Sequence, residues 1–104
     1  MSLVSVYAVF AGAEEAERIG RAVIEERLAA CVNILGATRS IYRWKGAIET
    51  ANEVAAIFKT TDDQAPALLE RVAALHSYEV PCVVCSRGEK ALPAYLDWVA
   101  DSVR

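Results

Sequence analysis

Histidine is nearly absent. His76 is the only one in 104 residues, so a multi-histidine metal centre is excluded within one copy of the chain. Positive charge is also short: 11 Lys and Arg face 14 Asp and Glu, a net −3, which opposes the counterion release on which nucleic-acid affinity rests. DNA, RNA and anionic membrane surfaces are therefore not expected partners. No stretch approaches the roughly 18 apolar residues that a membrane span needs. The opening Met-Ser-Leu-Val-Ser-Val-Tyr-Ala-Val-Phe lacks a basic n-region and a cleavage signal, which points to the cytoplasm. Cysteine is present as an odd set, Cys31, Cys82 and Cys85, which suits reduced thiols better than a disulfide framework. Against these shortages, 55% of the residues are apolar and no Pro/Ser/Gln-rich segment, linker or repeat interrupts them, so one globular domain over 1–104 is expected.

The apolar residues change period along the chain. Leu3, Val4, Val6, Ala8, Val9 and Phe10 form a buried first strand stopped by Ala11-Gly12. From Ala13 to Leu28, Ala16, Ile19, Val23, Ile24 and Leu28 share one helical face, with acids early, where the helix macrodipole favours them. Residues 31–44 read as a long strand with a bulge or bend at Gly36, and Lys45-Gly46 as a tight reversal. Residues 47–60 are ambiguous between a helix and the returning strand, with strand ahead. Asp62-Asp63 are candidate N-caps for a second helix carrying Pro66 in its first turn and ending near His76. Val80–Ser86 forms a short strand closed by Gly88, and Leu92, Tyr95, Leu96, Val99 and Val103 stripe a C-terminal helix starting near Pro93. The expected fold class is α+β: a ferredoxin-like βαββαβ sandwich with an antiparallel sheet and an additional C-terminal helix.

Candidate chemistry is sparse. Cys82-Val-Val-Cys85 has CxxC spacing, but in a strand residues three apart face opposite ways, so the two sulfurs cannot chelate one ion. Cys31 reads as a small core residue. His76 is either a ligand, with Glu79 three residues on or with Glu49 or Glu53 from another strand or subunit, or the cap of helix two. Tyr42, Trp44 and Trp98 fit core and interface packing. The loop after strand one has neither the paired cysteines of a copper chaperone nor the arginine cradle of an acylphosphatase, and the charge is wrong for an RNA-recognition motif.

Five motifs in order, RLAACVNI (27–34), SIYRWKGAIE (40–49) with Glu53, FKTT (58–61), HSYEVPCV (76–83) and YLDWV (95–99), resemble the CutA family of divalent-cation tolerance proteins. The resemblance spans nearly the whole chain. It implies strand for 47–60 and a homotrimer whose long hairpins pair with neighbouring subunits. It also implies a non-enzymatic role in metal homeostasis, with copper or zinc weakly bound at clefts between subunits and not required for the fold. His76 stands at the family's histidine position and Glu79 beside it. The chain departs from the family at Ser77, where proline is usual, at Leu75, where some members carry a second histidine, and in strand one, which lacks the family's cysteine. Trp44, Glu49, Glu53, Lys59 and Tyr78, at the other motif positions, are candidates for the shared cleft. That cleft could instead take a small molecule, as in the similar-looking trimeric PII signalling proteins, with the chain acting as a sensor or scaffold.

Overall fold

Alternation in the first eight structured residues sets the core. In the computed structural model, which describes residues 2–88 and 90–104, strand β1 (Leu3–Phe10) points Val4, Val6, Ala8 and Phe10 at one side. Strands β2 (Cys31–Trp44), β3 (Ala47–Thr61) and β4 (Val83–Arg87) complete an antiparallel sheet of order β2-β3-β1-β4. Helices α1 (Ala13–Glu25) and α2 (Ala65–Leu75) cover that side, burying Ala16, Ile19, Val23, Leu68 and Val72 against Ala56 and Phe58 of β3. Phe10 and Phe58 meet edge to face, ring centroids 6.3 Å apart. Each large side chain buried there is worth about 1.5–3 kcal/mol. Gly20 lets α1 approach β2, since a Cβ at that position would lie 3.0 Å from Val32 Cγ1. Helix α3 (Pro93–Ser102) reaches the opposite face, where Tyr95 Oη lies 3.5 Å from Cys31 Sγ.

Most element boundaries agree with the periodicity, and the departures have physical causes. Helix α1 stops at Glu25, three residues before Leu28, because Arg27 turns left-handed (φ 59°). The bonds from Leu28 N–H to Val23 O and from Arg27 N–H to Ile24 O then close a Schellman motif with arginine at the position glycine usually takes. Asp62 and Asp63 do not cap α2. Gln64 holds the N-cap position, and Asp62 Oδ1 instead accepts from the Ser2 backbone N–H. The last strand begins at Val83 rather than Val80, after the N–H-less Pro81. Residues 47–61 are strand, so hairpin logic prevails over the helical spacing there.

The β2–β3 hairpin makes the molecule long, 44 × 25 × 22 Å. It reverses at Lys45-Gly46, both with positive φ (49° and 84°), as a two-residue type I′ turn requires. Pairing slips between Ile34 and Gly36, leaving Leu35 as the extra residue of a bulge with Gly36 at φ 104°. All residues from 41 to 50 are exposed, including Ile41, Tyr42, Trp44 and Ile48.

Candidate functional site

His76 lies where β1 outruns β4. Val9 finds a partner for its N–H in Cys82 O, at 3.2 Å, but no strand residue meets its carbonyl on that side. The imidazole does: His76 Nε2–H donates to Val9 O at 2.7 Å. Nδ1 accepts from the Tyr78 backbone N–H at 3.1 Å, which fixes the neutral, Nε2-protonated tautomer. The ring stacks on Phe10 (centroids 5.1 Å apart, planes 14°), packs against Tyr78 and is only 9% exposed. Both nitrogens are therefore used by the chain itself. Glu15 locks the same corner, its two oxygens accepting from Ala11 N–H and Ser77 N–H at 3.1 and 2.9 Å. Burial works to raise the Glu15 pKa, but the bonds from Ser77 and Ala11 prevail and hold it below the usual value.

Beyond this corner, loop 76–82 runs beside the hairpin. Tyr78 Oη donates to Glu53 Oε2 at 2.7 Å, and Glu53 is 8% exposed. Burial, then the bond to Glu53, pushes the Tyr78 pKa up to about 12, so the phenol remains a donor at neutral pH. Burial and the Glu53 charge raise the Cys82 thiol. Farther out, Glu79 approaches Lys45 at 4.0 Å with both side chains largely exposed, a contact of little energetic weight. On the hairpin, Glu53, Glu49 and their cross-strand partners Thr38 and Tyr42 share one face with Trp44.

Comparison with known proteins matches this fold and these motifs at family level. The family model of the CutA1 divalent ion tolerance protein covers residues 4–102. The chain belongs to the CutA1 family. It is 42% identical over 101 residues to the Thermotoga maritima divalent-cation tolerance protein CutA, covering 97% of this chain and 99% of that one. It is 49% identical over 84 residues to mouse protein CutA, covering 81% of this chain but only 48% of the mouse chain, so it spans about half of that relative. The structure of the periplasmic divalent cation tolerance protein CutA of Archaeoglobus fulgidus superposes with a TM-score of 0.94 at 38% identity, covering 98% of this chain and 99% of that one.

In this member of the CutA1 family, the geometry redistributes the residues singled out in the sequence. Glu53 and Tyr78 are in contact, Trp44 and Glu49 lie along the same hairpin face, and Glu79 reaches the turn. His76 and Glu79, expected as a ligand pair, have different partners: the imidazole has no free nitrogen, and the carboxylate faces Lys45. No group of three or more His, Cys, Asp or Glu among the described residues is placed to hold a metal ion. One copy alone therefore does not fit a closed metal centre. Lys59 lies apart from the Glu53–Tyr78 pair, six residues along β3 from Glu53, roughly 20 Å at strand rise. Cys31 sits against Tyr95, outside the main core. Cys82 is exposed and Cys85 packs on the core, as the alternation requires. Sequence reasoning missed Glu15; its position three residues after Gly12, within reach of the backbone before the helix, is the signal that would have found it.

Proposed function

We propose that this chain serves divalent-cation tolerance as a non-catalytic cytoplasmic homotrimer of single-domain subunits, with copper or zinc held weakly between subunits at the Glu53–Tyr78 end of the hairpin. The observation that carries this reading is Glu53: a carboxylate 8% exposed, given a hydrogen bond by Tyr78 Oη but no cation among the described residues, at the foot of a hairpin whose outer half is bare. A buried carboxylate gains from a cation partner. The bare hairpin with its exposed Ile41, Ile48, Tyr42 and Trp44 favours a second copy as the source of the remaining ligands and of the covering surface. In this reading His76 positions Tyr78, and Tyr78 orients Glu53. Direct ligation by His76 with Glu79 requires the imidazole to give up Val9 O or Tyr78 N–H.

Calorimetric titration with copper and zinc of wild type, Glu53→Gln and His76→Gln separates these roles. Glutamine at 76 keeps a donor for Val9 O. The expected result is a loss of roughly tenfold or more for Glu53→Gln and a smaller loss for His76→Gln, as befits an outer residue. The reverse order would make His76 the ligand, and unchanged binding by both variants would remove the cation from this corner. Light scattering that returns a monomer would overturn the trimer. Cell fractionation placing the protein in the periplasm would overturn the cytoplasmic assignment, in which its three free thiols stay reduced.

A further inference from the structure

His76, Ser77 and Tyr78 are consecutive, and each is tied to a different element. His76 is held to β1 through Val9 O at 2.7 Å, Ser77 N–H donates across to Glu15 of α1 at 2.9 Å, and Tyr78 Oη donates to Glu53 of β3 at 2.7 Å. The middle tie is the one that α1 does not need for itself. Glu15 stands at the third helical position, and its Oε1 reaches back past the N-cap Gly12 to Ala11 N–H at 3.1 Å, much as the acid of a capping box serves its own helix. Oε2 goes instead to a residue 62 positions away, just beyond α2. Arg18 lies 3.8 Å from the same oxygen, but its side chain is 58% exposed and the pair carries little weight. The two amides are thus the main partners of a carboxylate that is itself largely buried. The bond from Tyr78 N–H to His76 Nδ1 closes the loop on itself. Between the imidazole and the Tyr78 hydroxyl, Ser77 N–H is therefore the backbone group that joins the loop to the rest of the fold among the described residues.

We propose that Glu15 is the positioning residue of the Glu53 site: by holding Ser77 it sets the path of the loop that brings Tyr78 Oη to Glu53, and through that contact it sets the cation affinity of the carboxylate. This role rests on the cation reading above and extends it to a residue of α1 that touches neither the ion nor Glu53. Hydrogen-bonded neighbours orient a ligating carboxylate, and losing one typically weakens metal binding about 10–100-fold. Glu15 acts one step farther out, through Ser77 and Tyr78. What it supplies is a restraint on the backbone, so a restraint of another kind can replace it. His76 has φ −73° and ψ 145°, the region favoured by a residue that precedes proline, and proline itself has no N–H to satisfy. Ser77→Pro therefore gives up the bond to Glu15 while keeping the direction of the chain, and in Glu15→Ala its ring enters the room left by the carboxylate.

The test compares wild type, Glu15→Ala and the double variant Glu15→Ala/Ser77→Pro on the assembled protein. Three readouts are used: amide hydrogen exchange, nuclear Overhauser contacts between the Tyr78 ring and the Glu53 side chain, and calorimetric titration with copper and zinc. Glu15→Ala is expected to speed exchange of the Tyr78 amide about tenfold or more, to lose the ring contact and to weaken cation binding roughly tenfold, at unchanged circular dichroism. The double variant should recover all three, although no charge returns at position 15 and the Ala11 bond stays absent. Unchanged Tyr78 exchange and ring contact in Glu15→Ala overturn the proposal. So does a double variant that binds no better than Glu15→Ala, since loss of charge or of the helix start is then the cause. If wild type binds neither copper nor zinc, the cation reading falls, and exchange with the ring contact decides the positioning alone. Should Glu15→Ala fail to fold, wild-type exchange decides: Ser77 and Tyr78 amides should show matched protection, and a Ser77 amide protected about tenfold less than Tyr78 overturns the assignment, because the tie then opens without releasing Tyr78.

Discussion

The lone histidine does the work of a strand residue. Its Nε2–H completes the hydrogen bonding of Val9 where β4 has ended, and its Nδ1 holds the loop that carries Tyr78. Replacement by alanine leaves the Val9 carbonyl and the Tyr78 N–H without partners and empties a stacked position on Phe10, so denaturant unfolding of His76→Ala should show a loss of about 2–4 kcal/mol. His76→Gln should recover part of this through the Val9 bond. Tyr78→Phe removes the donor to Glu53 and should cost about 1–2 kcal/mol. Tyr78 and Tyr95 also set an alkaline limit. Their folded pKa values, about 12, exceed the ordinary value of 10.0, so their contribution is complete below pH 10 and is lost as pH rises towards 12. Absorbance titration should find two tyrosines ionising late, with stability falling over that same interval. Glu15 acts at the other end: its lowered pKa means that the Ala11–Ser77 link contributes above the ordinary carboxylate range and is lost as pH falls through it.

At the scale of elements, the end of α1 offers a stabilising change. Arg27 occupies the left-handed position of a Schellman turn, and Arg27→Gly should raise stability by about 0.5–1 kcal/mol, read as a shift of a few degrees in Tm. Gly20→Ala should do the opposite despite better helix propensity, because the added Cβ meets Val32 at 3.0 Å. Every helix and strand except β3 was legible as periodicity, with Gly36 and Lys45-Gly46 marked as bulge or bend and as turn because glycine permits the positive φ found at Gly36 and Gly46. Residues 47–60 were not decidable from spacing, since Val54, Ile57 and Phe58 are spaced as in a helix while the preceding turn asks for a returning strand, and long-range pairing with β1 and β2 chooses between them. The site was less legible. Glu53 and Tyr78 meet through a loop whose path no local pattern encodes, and the partner of His76 is a backbone carbonyl, which carries no residue-type signal.

At the scale of the molecule, 104 residues leave much apolar surface outside. Trp44, Tyr42 and Trp98, read in the sequence as packing residues, are 38%, 41% and 48% exposed, so one copy does not complete their packing. Ile41 and Ile48 lie on the opposite face of the hairpin from the aromatic pair, which gives the ribbon two apolar sides to be covered. In the trimer proposed here, Ile41→Asp should weaken assembly and lower Tm in a concentration-dependent way, measurable by light scattering and thermal unfolding at two protein concentrations. A variant that stays trimeric with unchanged Tm would place Ile41 outside the contact.

The bulge at Leu35 reconciles two lengths that are set independently. Packing of Val32 beneath Gly20 fixes the near part of β2, and the Lys45-Gly46 turn fixes the far part against β3. The two anchors differ by one residue, and Leu35 takes up the difference, which is why Cys31 and Asn33 share a face with Thr38, Tyr42 and Trp44 rather than with Ile41 and Arg43. The position is therefore indifferent to side chain but intolerant of loss. Leu35→Ser should leave stability nearly unchanged, whereas deletion of the same exposed residue would force either Val32 out of the core or the aromatic pair onto the wrong side of the ribbon.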